Sequence, residues 1–168
     1  SAFVVDVTDV LRQENLIEIT VDNGRKDITP ISADFTFWGG IYRDVWLVSL
    51  PEQHFNMGNM GSDGIFVSTP EVSAERAVVK VRSEVTNDAG KASSLAVRHQ
   101  IYSPQGKLLQ TRRQKIRLKA GETRAVEYVS EAIRQPELWS PESPSLYVVK
   151  TALVNPADGK VLDEQTHK

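Results

Sequence analysis

Apolar and polar residues alternate with a period of two along most of this chain, and this pattern restricts what it can fold into. In residues 79–86, for example, Val79 and Val81 share one face while Lys80 and Arg82 share the other. Successive side chains of a strand point to opposite faces of a sheet, so this alternation is typical of strands with one buried face. The best helix candidate, 129–134, is too short for more than one turn. The sequence therefore predicts an all-β protein.

Turn-forming residues separate the apolar runs at regular intervals. Glycine, proline, asparagine and aspartate cluster at 22–24, 87–90, 104–106, 120–121 and 155–159. In the second part of the chain we predict seven strands, near 65–70, 76–86, 93–103, 108–118, 123–130, 146–154 and 160–165. Seven short strands in about 105 residues are typical of an immunoglobulin-like β-sandwich.

The composition changes between residues 51 and 63, where glycine, asparagine and methionine interrupt the alternation. We place a domain boundary there and predict two domains, 1–52 and 53–168. The first holds only three predicted strands, which are too few to close a sandwich. We therefore interpret 1–52 as the C-terminal strands of a larger jelly-roll domain, and 53–168 as the immunoglobulin-like β-sandwich.

Composition and charge exclude several functions. The net charge of −2 argues against nucleic acid as a partner, and the basic residues of 112–117 are interpreted as a solvated strand face. No cysteine is present, the three histidines lack metal-ligand spacing, and His99 is interpreted as a core or edge histidine, so no metal or cofactor is predicted. No apolar run approaches the ~20 residues of a membrane-spanning helix. The chain begins at Ser1 without an initiator methionine, which leaves both periplasm and cytoplasm open as the location, and the oligomeric state is equally open.

Composition does not explain residues 34–47. They read Asp-Phe-Thr-Phe-Trp-Gly-Gly-Ile-Tyr-Arg-Asp-Val-Trp-Leu, with three aromatic residues followed by a glycine doublet and an alternating run. This segment resembles the family 2 glycoside hydrolases (β-galactosidases, β-glucuronidases and β-mannosidases) at the end of their N-terminal sugar-binding domain. Residues 3–11, 15–23 and 138–147 resemble further motifs of the same family, in the same order.

The resemblance implies a function for the protein to which the chain would belong. It would be a retaining exo-glycosidase, with β-galactosidase favoured, that releases a terminal β-linked sugar from an oligosaccharide or glycoside. Its catalytic residues would lie in a barrel domain that 168 residues cannot include. The family's acid/base glutamate follows an asparagine, and this chain has no Asn-Glu dipeptide. We therefore assign no catalytic residue and expect the chain alone to be inactive.

Asp34 is the candidate substrate-binding residue. In the galactosidases and glucuronidases that the chain resembles, an aspartate six residues before a Gly-Ile pair binds the sugar in the innermost subsite, and Asp34 has this spacing to Gly40 and Ile41. A carboxylate suits this role because it accepts strong hydrogen bonds from hydroxyl groups. The alternative is a loop carboxylate that caps a turn. Trp38 is a second candidate for sugar contact, although burial against the barrel would also explain it.

The remaining motif residues are interpreted as structural. Gly39 and Gly40 would relieve crowding or allow a bend into a strand, Arg43 would hold a carboxylate or loop carbonyls, and Asp44 would point to the opposite strand face. Trp139 is predicted to be a core aromatic, with Tyr147 packed beside it.

A binding module is the competing class of function. A stand-alone carbohydrate-binding or adhesion module could have the same fold, because fold alone does not define function. A reading frame that continued past residue 168 for about 250 residues of alternating strands and helices would favour the glycosidase.

Overall fold

The computed structural model describes residues 3–22, 40–41 and 43–168. The chain divides into two compact units. One comprises Leu50–Lys168 with the start of the chain, and the other comprises Val5–Ser49.

The described strands all lie in the larger unit and are joined by turns and short loops. They are β1 (Gln53–Phe55), β2 (Ile65–Val72), β3 (Arg76–Asn87), β4 (Ser93–Tyr102), β5 (Leu108–Leu118), β6 (Glu122–Val129), β7 (Ile133–Arg134), β8 (Val148–Val154) and β9 (Val161–His167). In the smaller unit the described residues include one 3-10 helix, Thr8–Val10.

The strands form two antiparallel sheets. In the first sheet β3 is central, with β1 and β2 end to end along one side and β6 and β7 along the other. The second sheet has the order β5-β4-β8-β9. The fold is therefore all-β, with a two-sheet β-sandwich as its main body.

The alternation of the sequence explains the core between the sheets. Residues with odd numbers on β3 and β4, such as Val81, Val85 and Val97, are fully buried. They belong to one hydrophobic cluster that also includes Phe55, Ile65, Val79, Leu95, Ile101, Leu118, Val126, Val149 and Leu153. Burial of side chains from both sheets in one cluster is what holds a sandwich together.

Side-chain contacts also close one edge of the sandwich. The Asp163 carboxylate on β9 accepts a hydrogen bond from the Phe55 backbone N–H on β1, at 2.8 Å. Nearby, His167 Nε2 lies 2.9 Å from the Asp63 carboxylate, in the loop before β2. These side-chain contacts join the two sheets at an edge where their strands do not form backbone hydrogen bonds with each other.

All seven strands predicted beyond residue 64 are confirmed, with ends that differ by no more than two residues from the prediction. The best helix candidate, 129–134, is not helical: Ile133 and Arg134 form β7 and pair with Ala77 and Arg76. The three strands predicted within 1–52 do not appear among the described residues of that range. A strand requires a hydrogen-bonded neighbour, and alternation alone does not supply one.

Candidate functional site

The segment that carries most of the sequence-based prediction is described only in part. Asp34, Trp38 and Gly39 lie outside the described residues. The roles predicted for Asp34 and Trp38 in sugar binding, and for Gly39 in a bend, therefore stay predictions.

Gly40 is described and has a φ of +91°, in the region that residues with a Cβ rarely adopt. A Cβ built on Gly40 would meet nothing within 4 Å. Backbone conformation, rather than crowding, thus explains a glycine at this position. Arg43 and Asp44 follow in a stretch that carries no strand assignment, and both are exposed.

The predicted role of Trp139 is wrong, since its side chain is 58% exposed and does not belong to the core. The proline-containing segment from 135 to 147 runs outside the strands. Tyr147 helps to hold it, because the hydroxyl oxygen of Tyr147 accepts a hydrogen bond from the backbone N–H of Glu137 at 3.0 Å. The sequence motif therefore marks an irregular connection rather than a buried aromatic pair.

The buried Glu84 carboxylate holds a loop of the sandwich through hydrogen bonds. Glu84 is 8% exposed, and its carboxylate accepts hydrogen bonds from Asn56 at 3.0 Å, Asn59 at 3.5 Å and Arg82 at 2.6 Å. It thereby fastens the loop between β1 and β2 to β3. Gly64 closes this loop with a φ of +74°, and a Cβ there would lie 2.7 Å from the backbone N and O of Asn56.

Asn87, at the end of β3, forms a second set of buried hydrogen bonds. Its side chain is fully buried and makes four hydrogen bonds. The amide nitrogen donates to the carbonyls of Lys91 and Lys119, at 2.9 and 2.8 Å. The amide oxygen accepts from Gln53 and Ser93, each at 3.1 Å. One side chain therefore links β1, β3, β4 and the turn after β5. The turn residues at 87–90 predict only a turn at Asn87, because nothing in the local sequence signals these long-range contacts.

His99 is a core histidine, as predicted. It is fully buried, its ring stacks on Tyr128 with centroids 5.3 Å apart, and its Nδ1 lies 3.2 Å from the Thr151 hydroxyl. Its Nε2 has no hydrogen-bond partner among the described residues. Burial lowers the pKa of His99 to about 4, so the ring is neutral at pH 7.

Two carboxylates in the described part of the chain have pKa values below their ordinary range. A retaining enzyme needs two carboxyl groups about 5–5.5 Å apart, one of them an acid with a raised pKa. The pKa of Glu75 is instead lowered by hydrogen bonds from Ser73 and its own backbone, and that of Glu122 by hydrogen bonds from Lys119 and Arg124. Both side chains therefore favour the charged form.

A metal site and a membrane-spanning helix are not found in the described part of the chain. It contains no group of three or more histidine, aspartate or glutamate side chains that could hold a metal ion. Nor does it contain a helix long and apolar enough to cross a membrane.

Comparison with known proteins defines the family. The model of glycosyl hydrolases family 2 matches residues 63–168, and the chain belongs to this family. Its curated relatives include a β-glucuronidase of Bacteroides fragilis, 30% identical over 98% of this chain, and a β-galactosidase of Thermoanaerobacter pseudethanolicus, 29% identical over 99%. The chain spans only 24% and 21% of the length of these two relatives.

Solved structures agree with this assignment. The structure of Bacteroides uniformis β-glucuronidase 2 covalently bound to cyclophellitol-6-carboxylate aziridine is 54% identical over 88% of this chain, with a TM-score of 0.83. The match covers 18% of that protein. A putative β-galactosidase from Bacteroides fragilis is 27% identical, with a TM-score of 0.78. The all-β fold of this chain is thus that of part of a family 2 glycosidase.

Proposed function

We propose that this chain is a non-catalytic region of a family 2 retaining exo-glycosidase that removes a terminal β-linked sugar. The observation that carries the proposal is the 54% identity to a β-glucuronidase of which the matched part is only 18%. In this proposal residues 1–52 end a jelly-roll sugar-binding domain and 53–168 form the immunoglobulin-like sandwich. The catalytic barrel belongs to the remainder of the protein.

A β-glucuronide is the substrate that we propose first. The 54% identity to the Bacteroides uniformis enzyme supports it, as do the names of the Bacteroides fragilis and Formosa agariphila relatives. A β-galactoside, favoured by the sequence motifs, is the second candidate. The β-galactosidases of Thermoanaerobacter pseudethanolicus, Bacteroides ovatus and Rhizobium meliloti support it, at 29%, 26% and 28% identity.

A retaining mechanism proceeds through a covalent glycosyl-enzyme intermediate formed on one carboxylate while a second acts as acid and then base. In our proposal both carboxylates lie in the barrel. The sandwich, made rigid by Glu84 and Asn87 and by its apolar core, positions that barrel against the sugar-binding domain. Asp34 accepts hydrogen bonds from sugar hydroxyls in the innermost subsite, with Trp38 as a further contact.

Kinetics of the full-length protein test both the exo-glycosidase assignment and the choice of substrate. With nitrophenyl glycosides, kcat/KM for the β-glucuronide should exceed that for the β-galactoside. The opposite order would reverse our choice of substrate, and turnover of neither would refute the exo-glycosidase assignment.

The role of Asp34 needs a substitution in the same protein. We expect Asp34→Asn to lower kcat/KM about tenfold or more, because it weakens charge-assisted hydrogen bonds worth ~1.5–3 kcal/mol. The matched control is Asp9→Asn, in the exposed 3-10 helix Thr8–Val10, which should leave kcat/KM unchanged. Equal kinetics for Asp34→Asn and the wild type would return Asp34 to a role as a turn cap.

A further inference from the structure

The outer face of the second sheet carries an unbalanced row of cations. On β5, Arg113, Lys115 and Arg117 are exposed and lie on the face opposite Leu118, which is buried in the core. Arg98 on β4 pairs in register with Arg113 and lies on the same face. Lys150 on β8 completes what we call the basic face: Arg98, Arg113, Lys115, Arg117 and Lys150. Arg112, by contrast, lies on the opposite side of β5.

Small residues form the floor of the basic face. Ala96, Ala152 and Val154 make a separate cluster, with exposures of 0%, 1% and 2%. They occupy outward positions, with Ala96 paired to Lys115 and Ala152 paired to Arg98. Long cationic side chains cover such a floor with their methylene groups while their charged ends remain in water. Several cationic groups therefore lie at the outer boundary of this face.

Acidic partners are scarce on this face. Arg98 has one, the Glu164 carboxylate at 3.8 Å. No ion pair among the described residues joins Arg113, Lys115 or Arg117 to a carboxylate. In addition, the Nε of Arg98 is buried and has no hydrogen-bond partner among them. Unpaired positive charge therefore collects here, although the whole chain carries a net charge of −2.

The first sheet shows that this imbalance is not general. There, Lys80 pairs with Glu127 at 3.1 Å and Arg82 pairs with Glu84 at 2.6 Å. Arg76 of the same sheet pairs with Glu71 at 2.8 Å, whereas Arg134, its neighbour in register, has no carboxylate at ion-pair distance among the described residues. Most outer cations of the first sheet thus have an acidic partner, and most of those on the basic face do not.

We infer that the basic face binds an extended anionic polysaccharide through the carboxylates of its uronic acid units. Arginine binds carboxylates with two parallel hydrogen bonds, and Arg98 and Arg113 stand side by side to do so. From Arg113 to Arg117 the strand rises roughly 13 Å, so a chain laid along β5 meets successive cations. Each exposed contact is weak, but a polymer makes several at once.

The composition of the face favours a polysaccharide over nucleic acid. Binding of single-stranded nucleic acid relies on several aromatic rings on which bases stack. The basic face has one flanking ring, Tyr102, and the Lys150 ammonium already lies over it, 5.8 Å from the centroid. This inference does not depend on the proposed glycosidase activity, since it concerns a surface of the sandwich alone.

Affinity electrophoresis of the purified chain tests the inference. Migration should be retarded by a glucuronate-containing polysaccharide at low salt, but not by the same polysaccharide after its carboxyl groups have been reduced. Raising the salt concentration should weaken the binding, because exposed charges are screened. The triple substitution Arg113→Gln, Lys115→Gln and Arg117→Gln should weaken it roughly tenfold.

The control variant loses the same charge elsewhere: Arg76→Gln, Arg124→Gln and Arg134→Gln, all on the first sheet or its edges. It should bind like the wild type, and circular dichroism should show both variants folded. Equal loss of affinity in the two variants, or equal retardation by the carboxyl-reduced polymer, would overturn the inference. Equal or tighter binding of single-stranded DNA would overturn the assignment to a polysaccharide. Failure of glycoside turnover would leave this result unaffected.

Discussion

Replacement of Asn87 by alanine should destabilise the sandwich more than any single surface change. The substitution removes two donated and two accepted hydrogen bonds from a fully buried side chain. A hydrogen bond contributes about 1 kcal/mol net, so four suggest a loss of about 4 kcal/mol. Lys91 and Lys119 are exposed residues, and water that reaches their carbonyls would reduce the loss to about 3 kcal/mol.

Urea and thermal unfolding followed by far-ultraviolet circular dichroism measure this loss. For a unit of this size about 3 kcal/mol corresponds to a fall in Tm of roughly 10–15 °C. Asn87→Asp keeps the shape but replaces the donor with an oxygen that faces two carbonyls, so it should be at least as destabilising. Asn155→Ala, which removes one exposed hydrogen bond to the Ala157 N–H, is the control and should cost less than about 1 kcal/mol. A loss below about 1 kcal/mol for Asn87→Ala would refute the idea that this side chain links the strand ends.

Two further predictions concern the loop glycine and the core histidine. Gly64→Ala should lower the free energy of unfolding by roughly 2–3 kcal/mol, because Gly64 has a φ of +74° and an added Cβ would clash with the Asn56 backbone. The control Gly106→Ala, at a φ of +81° with nothing within 4 Å of an added Cβ, should lower it by only about 1–2 kcal/mol. Equal losses for the two variants would contradict the clash with Asn56. Because burial lowers the pKa of His99 to about 4, the unfolded chain takes up a proton first, so stability should fall by about 3 kcal/mol as the pH drops from 6.5 to 4. Urea titrations at several pH values measure this fall in the free energy of unfolding, and we expect the His99→Phe variant to lose it. The same pH dependence in the variant and the wild type would contradict the role of His99.

The strands of the sandwich were predictable because their signal is local. An alternating run and its flanking turn can be read from about ten adjacent residues, and β3, β4 and β5 lie where that pattern places them. The shorter β1 and β7 were missed because two or three residues carry no period. At 129–134, the best helix candidate of the sequence, pairing of Ile133 with Ala77 determined a strand instead.

The hydrogen bonds of Glu84 and Asn87 were not predictable, because their partners are distant in sequence. Glu84 lies 28 residues from Asn56, and Asn87 lies 34 from Gln53 and 32 from Lys119. For Trp139 the sequence predicted a contact that the structure lacks. The nearby Pro141, Pro144 and Tyr147 suggested a buried position, yet the side chain is largely exposed. A sequence motif of a family therefore does not by itself specify burial.

The most direct test of the central claim is turnover of nitrophenyl β-glucuronide and β-galactoside by the purified chain, measured beside the full-length protein. We expect the full-length protein to hydrolyse at least one of them with retention of configuration, and the chain alone to show no activity above the buffer. Turnover by the folded chain, abolished by substitution of one of its own carboxylates, would contradict the assignment of this region as non-catalytic.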